Sequence, residues 1–475
     1  MAVLGASVDL SNLEYNQAIL AFKVASSNQL AKFSMVDQVV DEYQDATGID
    51  AGNSTNELAS GATTVKYYAG TSSVDPTVTG GATTVVGDYT YHVFTSGTAN
   101  YVTDTTQDLD FLVVAGGGSG GKGQSGGGGA GGLIYRTGKS VANGTYSVTV
   151  GAGGGTGTPG NSGEDSTFGS LFTAKGGGHG GAYAGGGNAA SGGSGGGADQ
   201  NSQNTQGAST QAGQSGDSGT YGFGFAGGTG AGNGNDKGSG GGGGAGGAGG
   251  NGQTWSGGPG GLGKEITMFN RWGTTSANVA TTGTDGGWFA SGGGGGKYNS
   301  PNTYGTASAG GGSDGTHTTT AATDALANTG GGGGGQGSPN TATQAEGGSG
   351  IVIVRRQTGN IITEGGNLTL QSTATTAESV PTTADLIVLI EDDAGTATVN
   401  TDIKGYVSRD GSAFSSAVTF VDEGDWGTNK RILVARNIDI SGITSGTSMK
   451  YKLTTHNQVV SSKITRIHAT SLAWA

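Results

Sequence analysis

The sequence predicts a mainly β protein: a short N-terminal helical head, a β-stapled glycine-rich body of polyglycine or polyproline-II-like segments, and a C-terminal β-sandwich. Three observations carry that prediction. Residues 115–350 hold 86 of the chain's 105 glycines. On either side of them, apolar and polar residues alternate with period two. Near the N-terminus alone the apolar spacing is three to four.

The head spans residues 1–60. After a short apolar strand at 18–24, Leu30, Phe33, Val36, Val40 and Tyr43 recur on one helical face. Ser27 or Asn28 can cap the start of this helix, and Gly48 can end it. So narrow a stripe needs a partner, either its own chain or copies of itself in an oligomer. These five residues are the candidate attachment or oligomer contacts.

The body spans residues 61–357. Segments 63–68, 83–86, 89–94 and 109–114 read as strands broken by Gly-Gly and Ser-Gly turns. The last runs straight into AGGG at 115–118, and at the far end Gly350 leads into IVIV at 351–354. Pairing those two strands would close the glycine-rich region as a single insertion. A collagen triple helix is excluded, because there is no Gly-X-Y period and the chain has six prolines. A flexible linker is the other alternative. Against it, LIY at 133–135, YSVTV at 146–150, Leu171-Phe172 and Trp288-Phe289 interrupt the glycine runs, and a linker has no use for them. Ordering glycine costs roughly 1–2 kcal/mol per residue, at the upper end of the range. Dense backbone hydrogen bonding is what offsets it. Extended segments without Cβ atoms can touch and bond laterally, so the region reads as folded.

Residues 358–475 form the third domain. Strands at 367–370, 386–391, 397–407, 417–421, 431–434, 450–455 and 463–474 have sandwich-like spacing.

The chain of 475 residues carries a net charge of −13. Residues 1–115 supply 13 acids against Lys23, Lys32 and Lys66, so −10 of that charge lies there. An acidic surface attracts neither nucleic acid nor anionic lipid, and neither is expected as a partner. With no cysteine, disulfides, thiolate zinc sites and cysteine nucleophiles are impossible. The opening MAVLGASVD lacks the basic and long apolar parts of a signal peptide. No apolar run reaches 18 residues, so membrane insertion is not expected.

Gly-x-Gly-x-x-Gly recurs, as it must at this density, but never between a strand and a helix of a βαβ unit. The run GLIYRTGKS from Gly132 has one residue too many for a phosphate loop and leads into a strand. His92, His179, His317, His456 and His468 lack metal-ligand spacing. Asp104, Asp108 and Asp110 lack the glycine turn and distal glutamate of a calcium loop. No nucleophile elbow occurs. Neither enzyme activity, a metal nor a cofactor is expected.

The stronger binding signal is aromatic. Trp255, Trp272, Trp288, Phe289 and Tyr298 lie among glycine and polar residues, as do Tyr221, Phe223 and Phe225. Such rings either plug gaps in a body poor in side chains, or stand exposed to stack on sugars or anchor in a surface protein. Trp426 and Trp474 read as core of the last domain.

LVVAGGG from Leu112, GGLIYRTG from Gly131, YSVTVGAGG from Tyr146, GEDSTFG from Gly163 and GGSGIVIVR from Gly347 follow one another in order. Together they resemble a glycine-rich module of phage and bacterial surface proteins, over roughly residues 85–356. MVDQVVDEYQDATGIDAGNSTNE from Met35 is similar to segments of marine phage virion proteins. So is the stretch from LQSTATTAES at Leu370 to IHATSLAW at Ile467. The resemblance implies a tail-fibre or other virion appendage protein, most simply a receptor-binding adhesin on the virion surface. Other virion proteins would meet the N-terminal head, and a host glycan or protein the distal body. Homotrimers are usual for such fibres. A capsid-mounted fibre or decoration protein without a receptor is the alternative.

Overall fold

The computed structural model describes residues 37–43, 45–60, 67–183, 187–201, 205–211, 222–234, 236–281, 286–298, 303–317, 320–337, 343–359 and 361–475. Among these, antiparallel sheets dominate, with one 3-10 turn at Thr267–Phe269 and no α-helix. Contacts divide the chain into two compact units. One joins Met1–Asp75 with Asn360–Ala475, and the other is Pro76–Gly359.

The expected helical head is not found. Leu30, Phe33 and Val36 lie outside the described residues, and the rest of the stripe is not helical. Asp37–Asp41 is a strand pairing antiparallel with Ile464–Trp474, Val39 opposite Leu472 and Val40 opposite Ser471. β-Branched Val39 and Val40 suit a strand beside an open sheet edge better than a helix. Tyr43 is buried rather than offered to a partner. Its hydroxyl bonds Thr470 Oγ1 at 2.6 Å and Tyr451 at 3.2 Å, and its ring meets Tyr68 edge-on. Of the two described residues of the stripe, Val40 is exposed.

The first unit is a two-sheet sandwich. Its larger sheet runs Ile361–Glu364, Tyr68–Val74, Ile464–Trp474, Thr383–Ala394, Lys430–Asp439, Val421–Asp425, with Asp37–Asp41 and Glu57–Ala59 as added partners. Ser448–Thr455 centres the smaller sheet, paired with Thr369–Gln371, Thr375–Thr376 and Ile403–Ser408. Thr383–Ala394 is apolar on both faces. Leu386, Val388 and Ile390 point into the core with Leu453, Val407 and Trp474, while Ile387 and Leu389 join Ile432, Val434 and Ala469 on the other side. Trp474 is therefore core, as expected. Trp426 is not: it follows the strand Val421–Asp425 and is 39% exposed. The independent head of residues 1–60 is thus replaced, over its described part, by strands and turns of this sandwich.

The second unit holds a six-stranded and a five-stranded sheet around Phe111, Val113, Tyr101, Val148, Phe168, Phe172, Val352 and Val354. The two strands flanking the glycine region pair as expected. Ile351 lies opposite Val114 and Val354 opposite Phe111, so the glycine-rich chain leaves and re-enters one sheet.

That insertion is a lattice of backbone. Along residues 126–132, successive amides donate to three neighbours in rotation. Gly126, Gly129 and Gly132 bond to Gly181, Gly178 and Lys175, Gly127 and Ala130 to Gly240 and Gly243, and Gly128 and Gly131 to Gly333 and Gly330. These bonds are 2.7–3.1 Å long. The carbonyls of this segment accept from three further neighbours, at 118–121, 194–197 and 293–296. A three-residue repeat is that of the polyproline-II helix, and six bonded neighbours amount to hexagonal packing. Residues 238–244 repeat the scheme, donating to 247–253, 293–296 and 195–198. Glycine is required by contact here: a Cβ on Gly242 would land on the carbonyl oxygen of Gly128. The larger residues inside include Ala and Ser, such as Ala130 and Ser125, whose hydroxyl accepts from Gln336 N at 2.8 Å, and a few longer polar side chains such as Gln124, Gln336 and Lys297.

Candidate functional site

Hydrogen-bond directions give the lattice two ends. Residues 116–121 run outward from strand Gln107–Val114, and 126–132 return antiparallel to strand Leu133–Val141. Residues 291–297 run outward again, since Gly293 and Gly296 donate to Gly128 and Ser125. One end is therefore rooted in the sheets. The other consists of turns, among them 122–125, 199–201, 231–234 and 253–256. Contacts knit this outer end together. Ser239 Oγ donates to Gln124 O at 2.8 Å, Gln200 bonds Gln124, and Lys297 N donates to Thr316 O at 3.0 Å.

The aromatic candidates separate along this axis. Trp272, Trp288 and Phe289 sit at the rooted end. Strand Trp288–Phe289 pairs with Lys264–Glu265, Phe289 is buried, and Trp272 packs 5.0 Å from the Tyr91 ring. Phe223 pairs with Leu133 there, its ring 4.6 Å from Lys264 Nζ. Phe225, near the same end, is 42% exposed. Tyr221 lies outside the described residues. Trp272, Phe289 and Phe223 pack against one apolar cluster with Ile266, Phe269 and Ile353. Phe289 is buried in that cluster, and Trp272 and Phe223 are partly buried against it.

Trp255 and Tyr298 lie at the outer end, and Trp255 is the one exposed tryptophan of the three, at 58%. Its backbone is left-handed, with φ of 74°. A bulky residue held there costs about 1–3 kcal/mol. Backbone contacts impose the conformation: Trp255 N donates to Asp236 O at 2.7 Å, and Gln253 N donates to Ser256 O at 2.8 Å. Beneath the ring lies Lys297, fully buried, with Nζ 5.6 Å from the ring centre and donating to Tyr298 O at 2.8 Å. Burial pulls the Lys297 ammonium below its ordinary pKa, and Asp236 opposes that shift. Tyr298 is half-buried and contributes its carbonyl rather than an open ring.

Sequence reasoning missed two members of this end. Tyr183 is 49% exposed beside the 122–125 turn, its amide donating to Gly123 O. Its position two residues after a glycine block was the available signal. Lys297 ends the GGGGG run at 292–296, and nothing in composition distinguishes a buried lysine from a solvated one. Among the described residues, no group of three or more histidine or acidic side chains is arranged to hold a metal ion, and no helix is long and apolar enough to cross a membrane.

The family model of a glycine-rich domain matches residues 93–357, more than half of the chain. No curated protein matches it.

Proposed function

The chain belongs to the glycine-rich domain family, and from that premise we propose that it is a phage virion structural protein, a tail fibre or receptor-binding adhesin that mediates host attachment. The observation that carries this reading is the polarity of the glycine lattice. Its interior is backbone bonded to backbone, so it is rigid and offers almost no side-chain chemistry. Turns gathered at one end are where residues can vary without disturbing the packing. That organisation suits display better than catalysis. Resemblance of the flanking segments to virion proteins supports the placement on a particle. Attachment to the virion is assigned to the N-terminal residues, and a homotrimer is the proposed assembly.

Antibody labelling of intact particles, viewed by electron microscopy, tests the reading. Label at the tail with competition of host adsorption by purified protein is expected. Label on the head without competition would favour a capsid-mounted fibre or decoration protein, and no label on any particle would refute the virion role. Deleting residues 1–36, which removes no described strand, should abolish incorporation while leaving both units folded. Deleting residues 1–60 would also remove the strands Asp37–Asp41 and Glu57–Ala59 from the sandwich. Analytical ultracentrifugation reporting a monomer would overturn the trimer.

A further inference from the structure

Trp255 belongs to none of the apolar clusters of either unit. One side of its ring faces a buried ammonium, and more than half of its surface remains open. The surroundings are polar. Lys237 Nζ donates to Thr254 Oγ1 at 2.7 Å, Ser256 Oγ donates to Gly257 O at 3.0 Å, and Asp236 holds the Trp255 amide. In the described part of that turn, residues 253–256, no second exposed apolar side chain extends the ring into a patch. A protein-binding hot spot is a group of apolar anchors sealed from water by its neighbours. A flat exposed ring whose neighbours carry hydroxyls and ammonium groups is complementary to a pyranose instead. The C–H face of the sugar covers the ring, and its hydroxyls meet the donors and acceptors around it.

We propose that Trp255 is the stacking platform of a saccharide-binding site at the outer end of the glycine lattice, an assignment that rests on the attachment reading above. Lys237, Thr254 and Ser256 supply its polar rim. The test uses the full chain on a printed array of oligosaccharides ending in neutral hexose, N-acetylhexosamine or uronic acid, with calorimetric titration of the best ligand. At least one class should bind. Trp255→Ala should weaken that binding tenfold or more with an unchanged melting temperature, and Trp255→Tyr should recover most of it. Trp426→Ala, which removes an exposed ring of the other unit, should leave it unchanged. Binding indifferent to Trp255→Ala, or no binding to any member of the array, overturns the proposal. If the array is blank yet Trp255→Ala abolishes adsorption to host cells, the ligand is a protein and the attachment reading stands. If purified protein never competes for adsorption while Trp255-dependent glycan binding is found, the attachment reading fails and the saccharide site stands.

Discussion

Gly128→Ala should cost the glycine lattice roughly 3–6 kcal/mol, far more than a methyl group costs on a surface. Gly128 N donates to Gly333 O at 2.7 Å, and Gly333 N in turn donates to Gly118 O at 2.9 Å. Gly118 N donates to Gly129 O at 2.9 Å. The new methyl would land on that Gly118 oxygen. Restoring a contact of about 3.5 Å makes the 116–121 segment retreat by roughly 1.4 Å. Bonds of 2.9 Å do not survive such a shift. Two are lost, and each leaves a donor and an acceptor buried at a cost of about 1–3 kcal/mol per group, reduced by partial relaxation. Gly155→Ala is the control within the same unit. Among the described residues its methyl meets only Asn161 Nδ2 and Glu346 Oε1, both at 3.9 Å. That change should be neutral or stabilising by up to about 1 kcal/mol, through the unfolded chain. Urea unfolding with hydrogen exchange of peptides across 116–135 reports both variants and places the loss in the lattice rather than in the sandwich. Equal stability of the two variants, or complete exchange of 126–132 within seconds in the native protein, would refute the backbone-lattice account.

Trp272→Ala should destabilise the body by about 3 kcal/mol, because its ring fills space against Tyr91 at the rooted end; thermal melts check this. Trp255→Gly should melt no lower than the native protein, since glycine accepts the left-handed backbone without strain, and a drop of several degrees would contradict that. Asp402 accepts from Thr398 N, Asn457 Nδ2 and Lys463 Nζ, each at 2.8 Å. Burial alone would push its carboxyl up, but these partners bring it down to about 2. The folded pKa is thus depressed, so its stabilisation is present above pH 4 and lost as pH falls toward 2. Asp402→Asn should cost about 1.5–3 kcal/mol at neutral pH and narrow that acid dependence in denaturant titrations. Asp385 has the opposite sign. Its Oδ1 accepts from Asn437 N at 2.7 Å, its Oδ2 is buried with no hydrogen-bond partner among the described residues, and burial raises its pKa. The folded state then binds the proton more tightly, so stability contributed by this group rises as pH falls from neutral toward the ordinary carboxylate value near 4. The difference in stability between native protein and Asp385→Asn, measured across that window, should track this titration, and a flat difference would contradict it.

Strand period and turn chemistry made the sheets readable from sequence. Tyr89–Phe94, Gln107–Val114 and Ile351–Gln357 stand close to where alternation put them, and the pairing that closes the insertion followed from their flanking positions. The head failed for a physical reason. Val36, Val40 and Tyr43 have helical spacing, but spacing does not report that Ile464–Trp474, over 400 residues away, offers an edge to Val39 and Val40. Trp426 was misread as core because its hairpin places it one residue past the strand. For the candidate site, clustering along the sequence misled. Trp255, Trp272 and Trp288 are near one another in the chain, yet the segment passes from the outer end of the lattice to its root between Trp255 and Trp272. Only the direction of the hydrogen bonds shows that.

The same directionality explains why glycine suits a display scaffold. In a side-chain core, each residue touches several others, and a change at the surface is felt through the packing. In this lattice the segments are fixed mainly by amide-to-carbonyl bonds, as between Gly128 and its partners Gly333 and Gly293, with buried serine hydroxyls accepting a few others, as from Gly334 and Gln336. Turn residues such as Trp255 and Tyr183 can then be exchanged with little consequence for the bonds beneath them. The rooted end behaves in the opposite way, because Phe269, Phe289 and Trp272 belong to the cluster that seats the lattice on its sheet. Substitutions should therefore be tolerated at exposed residues of the outer turns and not at the packed glycines beneath them, so the outer surface can change while the fold is held.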